Sequence, residues 1–574
     1  MKTAVPQIGP TARPLRKIPV YELLAGDLRH HGIETVFGLM SDDTAALAST
    51  LDSIGIAFHG ARHENNAIAM AEGYAAASGR LGVAVVGRGP ATANGLHAAV
   101  YASRTGSPVL IIYGDAALGS DMTNAPGPDY KSFNAQGVLG AAGLQTFRAT
   151  SAAAARTVLA DAVAAARSGK AAALLLPTDV QLAEIEARPD DVPPLAGSVE
   201  RALGVARSQA IEAATAVLRD KRRPLILAGL GAHRADAREA IEVLADKVGA
   251  LLITTARAKD MFRHHPYNLG IIGSFSHSNA RRWTNQADCV IAFGASLNFL
   301  TTSFGHFVPP VPLIQVDAIR SNIGRWGDAD VALVGDAKSV AEQLLQALPA
   351  RSDTDKPFHC DETRSSIAEF DAGQDFRTAH TARTVDPRAL AMELDKLLPE
   401  NRSLVYDAGN FLGVAPYLAV SGPDHFKFTT DFASIGLGFG TALGYARARP
   451  DSTTVLVIGD GGFLMTMGEL ETVVREDLPL VIVVMNDCAY GAELHFLRLR
   501  QLPVGKSVFP DVDFAPIAQG FAFEAATIRS LDDLRTAAPL LREPQGPILL
   551  DCKINQAIAS PFMSEFAAFE EGEN

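Results

Sequence analysis

The chain has 574 residues, is 48% hydrophobic and 20% charged, and carries a formal net charge of −13. That length exceeds a single core and implies several domains, while the acidic balance, without a concentrated basic stripe, argues against a nucleic-acid partner. No apolar run approaches the roughly 20 residues that span a bilayer, and Met1 to Lys17 lacks the apolar core of a secretory signal, so a cytoplasmic chain with no membrane partner is expected.

Strand-length apolar runs alternate with alanine-rich stretches almost throughout, which predicts right-handed parallel α/β units. The first block, residues 15–185, offers strands at Thr35–Gly38, Val83–Val86, Val109–Ile112 and Ala172–Pro177. Within it, Ser41, Asp42 and Asp43 follow a strand end, and Arg62-His63-Glu64 opens an alanine-rich helix. His97 starts another predicted helix, either facing a site or satisfying a buried backbone group. The proline- and acid-rich passage Glu186–Pro194 reads as a linker. The second block, residues 200–350, is Rossmann-like in rhythm from Arg223–Gly229 to Val334–Asp336, yet has no GxGxxG. A polar segment at Ala350–Lys356 and charged residues up to Arg383 form a second linker before the third block, residues 380–556. The tail, residues 557–574, is expected either to cover an entrance or to be disordered. Cys289, Cys360, Cys488 and Cys552 are too scattered for a metal-ligand spacing and read as reduced thiols.

The third block holds the most specific signal. Gly459-Asp460-Gly461-Gly462 follows the run Thr454–Ile458, and a second run, Leu480–Met485, ends in Asn486-Asp487. Two neighbouring parallel strands would each present an oxygen ligand at their carboxyl ends, with glycines admitting a diphosphate, an arrangement that resembles a thiamin diphosphate site. Magnesium suits such hard oxygen donors. Thiamin chemistry also needs a carboxylic acid against N1′ of the aminopyrimidine, and Glu64 is the candidate. Its alternative is a plain acidic residue favoured at a helix N-terminus.

With Phe37-Gly38-Leu39, Arg62-His63-Glu64, Ser434–Gly444 and Met485–Phe496 in view, the chain resembles the thiamin diphosphate family of pyruvate decarboxylase, acetohydroxyacid synthase and benzaldehyde lyase, the last most of all. The resemblance spans nearly the whole chain. It implies three doubly wound parallel-sheet α/β domains: pyrimidine-binding, central and diphosphate-binding. By that likeness Asp460, Asp487 and the Ala489 carbonyl hold magnesium, and Ile435 wedges the cofactor into its bent shape. Ser434, Gly461, Gly462, Tyr490, Gly491, Gly409 and Asn410 would line the cofactor. Departures bear on the reaction. Asp487 stands where the family usually has asparagine, Asp43 stands near a histidine of benzaldehyde lyase, and the decarboxylase's paired histidines are missing between Tyr113 and Gln136. Asp42 and Glu493 fall where the decarboxylase keeps acidic proton-relay residues, although both residue types are common on solvated helix ends. Either Gln136 or Lys131 occupies the position of the family's loop glutamine; lysine would favour a carboxylate-bearing substrate, glutamine a hydroxyketone. Arg498 and Arg500 read as a solvated helix end.

The catalytic candidates are therefore Glu64, Asp42, Asp43, Gln136 and Glu493, acting on small carbonyl substrates. The expected activity is that of a carbon–carbon lyase or carboligase for 2-hydroxyketones, aldehydes or 2-oxo acids. A 2-oxo acid decarboxylase is the alternative, and a noncatalytic thiamin- or nucleotide-binding subunit a third. The resemblance further implies a homodimer or homotetramer with sites at the subunit interface, and leaves open whether the central domain holds FAD.

Overall fold

The computed structural model describes residues 15–120, 129–195, 204–306, 309–349, 356–542 and 544–571. The extreme N-terminus, the Thr123–Pro128 part of the expected pocket loop, residues 350–355 of the second linker and the last tail residues 572–574 lie outside the described residues. Contacts divide the chain into two compact units, residues 1–199 with 443–448, and residues 200–442 with 449–574.

The first unit contains β1 (Arg16–Pro19), β2 (Thr35–Gly38), β3 (Ala57–Gly60), β4 (Gly82–Val86), β5 (Val109–Asp115), β6 (Gln145–Arg148), β7 (Ala172–Pro177) and β8 (Glu184–Ala187). Six of these form a parallel sheet in the order β3-β2-β4-β5-β7-β6. Every residue of β4, β5 and β7 is buried, as unbroken apolar runs covered on both faces must be. The chain reverses its direction across the sheet between β2 and β4, so the loops leaving those strands flank the crevice where such sheets hold ligands. The helix Glu64–Ser78 is buried from Asn66 through Ala75, which its run of small side chains permits, and it ends at Gly79 in the left-handed region, φ 69°. The expected linker is ordered at its start. Its Glu-Ile-Glu-Ala alternation makes β8, which pairs antiparallel with β1, and Arg156 then grips the carbonyls of Arg188 and Pro189 while forked onto buried Asp27.

The second unit carries two parallel six-stranded sheets. The central one is built from β9 (Pro224–Ala228), β10 (Leu251–Thr254), β11 (Asn268–Ile271), β12 (Cys289–Phe293), β13 (Leu313–Asp317) and β14 (Val331–Val334), in the order β11-β10-β9-β12-β13-β14. Beyond β9 and β12 the backbones touch: a Cβ on Gly229 would sit 2.2 Å from the Gly294 carbonyl oxygen. The charged stretch expected as linker contains the helix Asp361–Ala368, whose Ser366 hydroxyl receives the Trp283 indole N–H at 3.1 Å and whose Ser366 carbonyl receives Asn279 Nδ2 at 2.8 Å. These polar groups dock a helix whose charges alone suggested open chain.

The last sheet comprises β15 (Arg402–Tyr406), β16 (Phe426–Phe428), β17 (Thr453–Gly459), β18 (Leu480–Asn486), β19 (Glu524–Ile528) and β20 (Ile548–Lys553), in the order β16-β15-β17-β18-β20-β19. Its tail forms the helix Pro561–Glu571. Aromatic contacts fasten that helix to both sheets' layers, with Phe566 against Phe496 and Phe304, and Phe569 against Phe299. An Arg281–Glu565 ion pair of 3.0 Å adds to them. No helix among the described residues is long and apolar enough to cross a membrane.

Candidate active site

β17 and β18 run parallel with Gly459 opposite Met485, so Asp460 and Asn486-Asp487 leave the sheet side by side at its carboxyl edge. Asp460 opens the helix Asp460–Thr466, where the N-terminus favours an acidic residue. Asp460 and Asp487 are only 3% and 8% exposed. Burial raises the pKa of both, and the neighbouring Asp487 charge raises that of Asp460 further. Two carboxylates so placed call for a cation. Among the described residues, no group of three or more His, Cys, Asp and Glu side chains could supply a metal site. A metal here must therefore draw on backbone and ligand oxygens.

The backbone beyond β18 supplies one. Asn486 is anchored by Nδ2 donating to Asp551 at 2.9 Å, and its Oδ1 receives the Cys488 N–H at 3.2 Å. Cys488 takes φ 58°, and the chain then bridges antiparallel to Val508, Tyr490 N–H donating to the Ser507 carbonyl and Phe509 N–H to the Cys488 carbonyl. Residues flanking Ala489 thus turn toward that ribbon, so Ala489 turns its own groups the other way. Its N–H donates to Asp487 Oδ1 at 3.1 Å, and its carbonyl shares that side. Two carboxylates and one carbonyl fit a hard divalent cation, which would leave room for diphosphate oxygens and water. Glycine is required around them: a Cβ on Gly491 would lie 2.4 Å from Asp487 Oδ2, and one on Gly461 2.8 Å from the Tyr490 ring. Tyr490 stacks edge-on against Phe509 and is 37% exposed.

Asp407, just past β15, organises the facing loop and was not singled out from sequence. Its fully buried carboxylate accepts Gly436 N–H at 2.7 Å, Gly438 N–H at 3.0 Å and the Thr429 hydroxyl at 3.3 Å. Burial, only partly offset by these donors, pushes its pKa up to about 6. A Cβ on Gly462 would fall 2.3 Å from Asp407 Oδ2, so the second glycine after Asp460 serves this carboxylate. The loop so held carries half-buried Ser434 and Ile435, the latter's Cδ1 lying 3.8 Å from where a Gly461 Cβ would stand. Gly409 and Asn410 follow Asp407, and buried Asn410 is clamped by the tail, donating to the Ile558 carbonyl at 2.9 Å and accepting Ser560 N–H at 2.8 Å. Arg498 is no idle helix end: it binds Gln556 at 3.0 Å and 3.1 Å, and Gln556 in turn donates to the Asp487 carbonyl at 2.8 Å. Arg500 pairs with Glu570.

In the first unit, Glu64 begins its helix immediately beyond β3, with His63 Nδ1 capping Asn65 N–H at 3.1 Å and Asn94 Nδ2 donating to Glu64 at 3.1 Å. On the same carboxyl edge of that sheet stands a cluster of charges. Asp43, 9% exposed, receives Arg88 Nε at 2.7 Å, Lys131 Nζ at 2.9 Å and the Ser41 hydroxyl at 3.1 Å. Arg88 also pairs with Asp129 at 2.6 Å, and Lys131 with exposed Asp42. The hydrogen bond from the Lys131 ammonium lowers the pKa of the Asp42 carboxyl. Gln136 is exposed on the helix Ala135–Ala141, outside this cluster. His97 is half-buried, and burial lowers its pKa.

Glu493, exposed on the helix Gly491–Leu499, borders a cavity of about 1000 Å3 within the second unit. Its floor is the carboxyl edge of the central sheet, at Gly231, Ala295, Asp317 and Asp336, and its far wall includes Gly409 and Phe562.

Three family models match the chain in order. They are the N-terminal TPP binding domain of thiamine pyrophosphate enzymes at residues 18–134, the central domain at 211–344 and the C-terminal TPP binding domain at 407–552. The chain belongs to the thiamine pyrophosphate enzymes. Its relatives include a probable acetolactate synthase large subunit of Methanocaldococcus jannaschii, 27% identical over 94% of this chain and 93% of that one. The acetolactate synthase isozyme 2 large subunit of Escherichia coli is 26% identical over 92% and 94%. A sulfoacetaldehyde acetyltransferase of Alcaligenes xylosoxydans is 28% identical over 88% and 87%. The chain is thus a thiamin-dependent enzyme of carbon–carbon bond chemistry, with one parallel sheet for each of the three family domains.

Proposed function

We propose that this thiamine pyrophosphate enzyme is a magnesium-dependent lyase or carboligase acting on 2-hydroxyketones, aldehydes or 2-oxo acids. The observation that carries the reading is the pair of buried carboxylates, Asp460 and Asp487, leaving adjacent parallel strands beside the Ala489 carbonyl. Asp460, Asp487 and Ala489 would hold magnesium and through it the diphosphate. Glu64 would hold a proton at the pyrimidine N1′, and Ile435 would support the cofactor's bent shape. When bound, the cofactor supplies a stabilised carbanion next to a carbonyl carbon. The relatives named for acetolactate synthesis and sulfoacetaldehyde acetyl transfer support group transfer to a second substrate rather than simple release of an aldehyde.

Incubation with thiamin diphosphate and magnesium, offering pyruvate, benzoylformate, benzaldehyde or benzoin and identifying products, tests the reading. Condensation or cleavage products are expected; free aldehyde alone would favour the decarboxylase. Glu64→Gln should keep cofactor binding while slowing hydrogen–deuterium exchange at the thiazolium C2, and an unchanged rate would remove Glu64 from its role.

The central cavity suits a nucleotide such as FAD in size and in its place at the carboxyl ends of a doubly wound sheet. A flavin absorption band in the purified protein would establish it. The working unit is a homodimer or homotetramer in which Glu64 of one protomer serves the diphosphate site of another. Supporting this, Leu464 and Met465, on the helix that Asp460 opens, are 45% and 62% exposed. Hybrids of Glu64→Gln and Asp460→Ala protomers should regain part of the activity, and hybrids shown to form yet inactive would count against shared sites.

A further inference from the structure

The charge cluster on the carboxyl edge of the first sheet has a fixed part and a loose part. Asp43 is fixed. Its loop is seated against bare strand ends, since a Cβ on Gly114 would lie 2.8 Å from Asp43 Cβ and one on Gly87 2.5 Å from Ser41 Oγ. Its side chain is 4% exposed, bonded to Arg88, Lys131 and Ser41, and its own carbonyl receives Gln181 Nε2 at 3.1 Å. Lys131 is fixed too, because its carbonyl rests on Gly89, where a Cβ would come within 2.4 Å. Asp42 is different. Its side chain is 79% exposed and, among the described residues, held only by the Lys131 ammonium and by the Ser41 hydroxyl at 3.2 Å, which it shares with Asp43.

The charges decide what each part can do. Arg88 and Lys131 balance Asp43 and Asp129, a neutral frame of four. Asp42 adds an uncompensated negative charge, and its ion pair lies in water, where such pairs are weak. Lys131 thus offers a partly exposed cation whose second bond is made to an anion that is easily replaced. Glu64 opens its helix beyond β3, the strand next to β2 from which Asp42 follows, so both face the same edge of one sheet.

We propose that Lys131 reads an anionic group of the substrate, a carboxylate or sulfonate near the reacting carbonyl, and that Asp42 occupies this place as an internal stand-in that the substrate displaces. The inference rests on the proposed function for the reaction, but the anion site itself does not. Asp42 then sets selectivity: it competes with charged substrates for the Lys131 ammonium and leaves neutral carbonyl compounds unaffected. Lys131 is the positioning cation, and Asp43 keeps it in place.

The test compares holoenzyme variants with pyruvate and a neutral aldehyde. Asp42→Asn should lower the ratio of KM for pyruvate to KM for the aldehyde about fivefold, and Lys131→Gln should raise it by at least that factor, with kcat moving less than KM in both. Equal ratios in wild type and Asp42→Asn would overturn the proposal. The second readout needs no turnover. Acylation of Lys131 by an active ester, followed by peptide mass spectrometry, should be slowed by pyruvate or methanesulfonate, and at lower concentration in Asp42→Asn than in wild type. Absence of protection in both would overturn the proposal even in an active enzyme. If the holoenzyme is inactive with every substrate, the functional reading fails, and the labelling still decides whether Lys131 takes an anion.

Discussion

Removing the Asp407 carboxylate should loosen the loop that carries Ile435, and the effect can be sized. Asp407→Ala takes away the acceptor of the Gly436 and Gly438 N–H groups, now bonded at 2.7 Å and 3.0 Å. A hydrogen bond to a charged acceptor is worth about 1.5–3 kcal/mol, so each amide should open roughly 10- to 150-fold more often. Amide exchange read by mass spectrometry on peptides spanning residues 434–439 measures this directly. The carboxylate has a second signature. Its pKa is raised from 3.8 to about 6 in the folded chain, so between those values the folded state binds more protons than the unfolded one. Stability from this group is therefore full below the unfolded value, falls as pH rises through the window, and is flat above about 6. The whole effect is on the order of 3 kcal/mol, of which about 1 kcal/mol lies between pH 5 and pH 7. Asp407→Asn cannot titrate, so wild type should gain on the order of 1 kcal/mol on that variant when denaturation is repeated at pH 5 instead of pH 7. A wild-type advantage independent of pH, or unchanged amide exchange in Asp407→Ala, would refute the assignment.

The Asp460–Asp487 pair and its packing give further tests. Asp487→Asn removes one of two buried neighbouring carboxylates, so in chelator it should melt higher than wild type, by about 1 °C per kcal/mol relieved. Asp460→Ala should instead lose the stabilisation that thiamin diphosphate and magnesium confer together; if thermal melts show that gain intact, Asp460 is not the ligand. Gly491→Ala would put a methyl 2.4 Å from Asp487 Oδ2, and magnesium titration should show about tenfold weaker binding or more. Unchanged affinity would mean that Asp487 can move freely.

Much of this fold was legible because its signals are local. Apolar runs mark β17, closed by Gly459, and β18, closed by Asn486-Asp487, so that two acids fall on one sheet edge before any contact is known. The rest depends on where loops converge. Asp407 meets Gly436 and Gly438 after 29 and 31 residues, and Lys131 meets Asp43 across 88, distances at which no residue pattern indicates a partner. Composition also misled where a short element sits in charged surroundings. Glu184–Ala187 forms an edge strand although acid and proline follow it, and Arg498 works through Gln556 although its helix end is solvated. Nor does any residue pattern tell that Lys131, and not Gln136, joins the Asp42–Asp43 cluster.

The clamp on Asn410 has a consequence for how the protein is made. Its partners Ile558 and Ser560 lie 148 and 150 residues further along the chain. At ribosomal speeds of about 5–20 residues per second, Asn410 waits roughly 8–30 s before the segment that seats it has been translated. Gln556, which holds the Asp487 carbonyl, emerges almost as late. The sheet around β15, β17 and β18 can collapse earlier, but the backbone on both sides of the diphosphate site is finished only when the tail arrives. A nascent chain therefore passes through a stage in which β15, β17 and β18 are present while β20 and the tail, which complete the core and the site together, are still to come. During that stage Phe299, Phe304 and Phe496 still await Phe566 and Phe569, leaving an apolar surface for chaperones to shield.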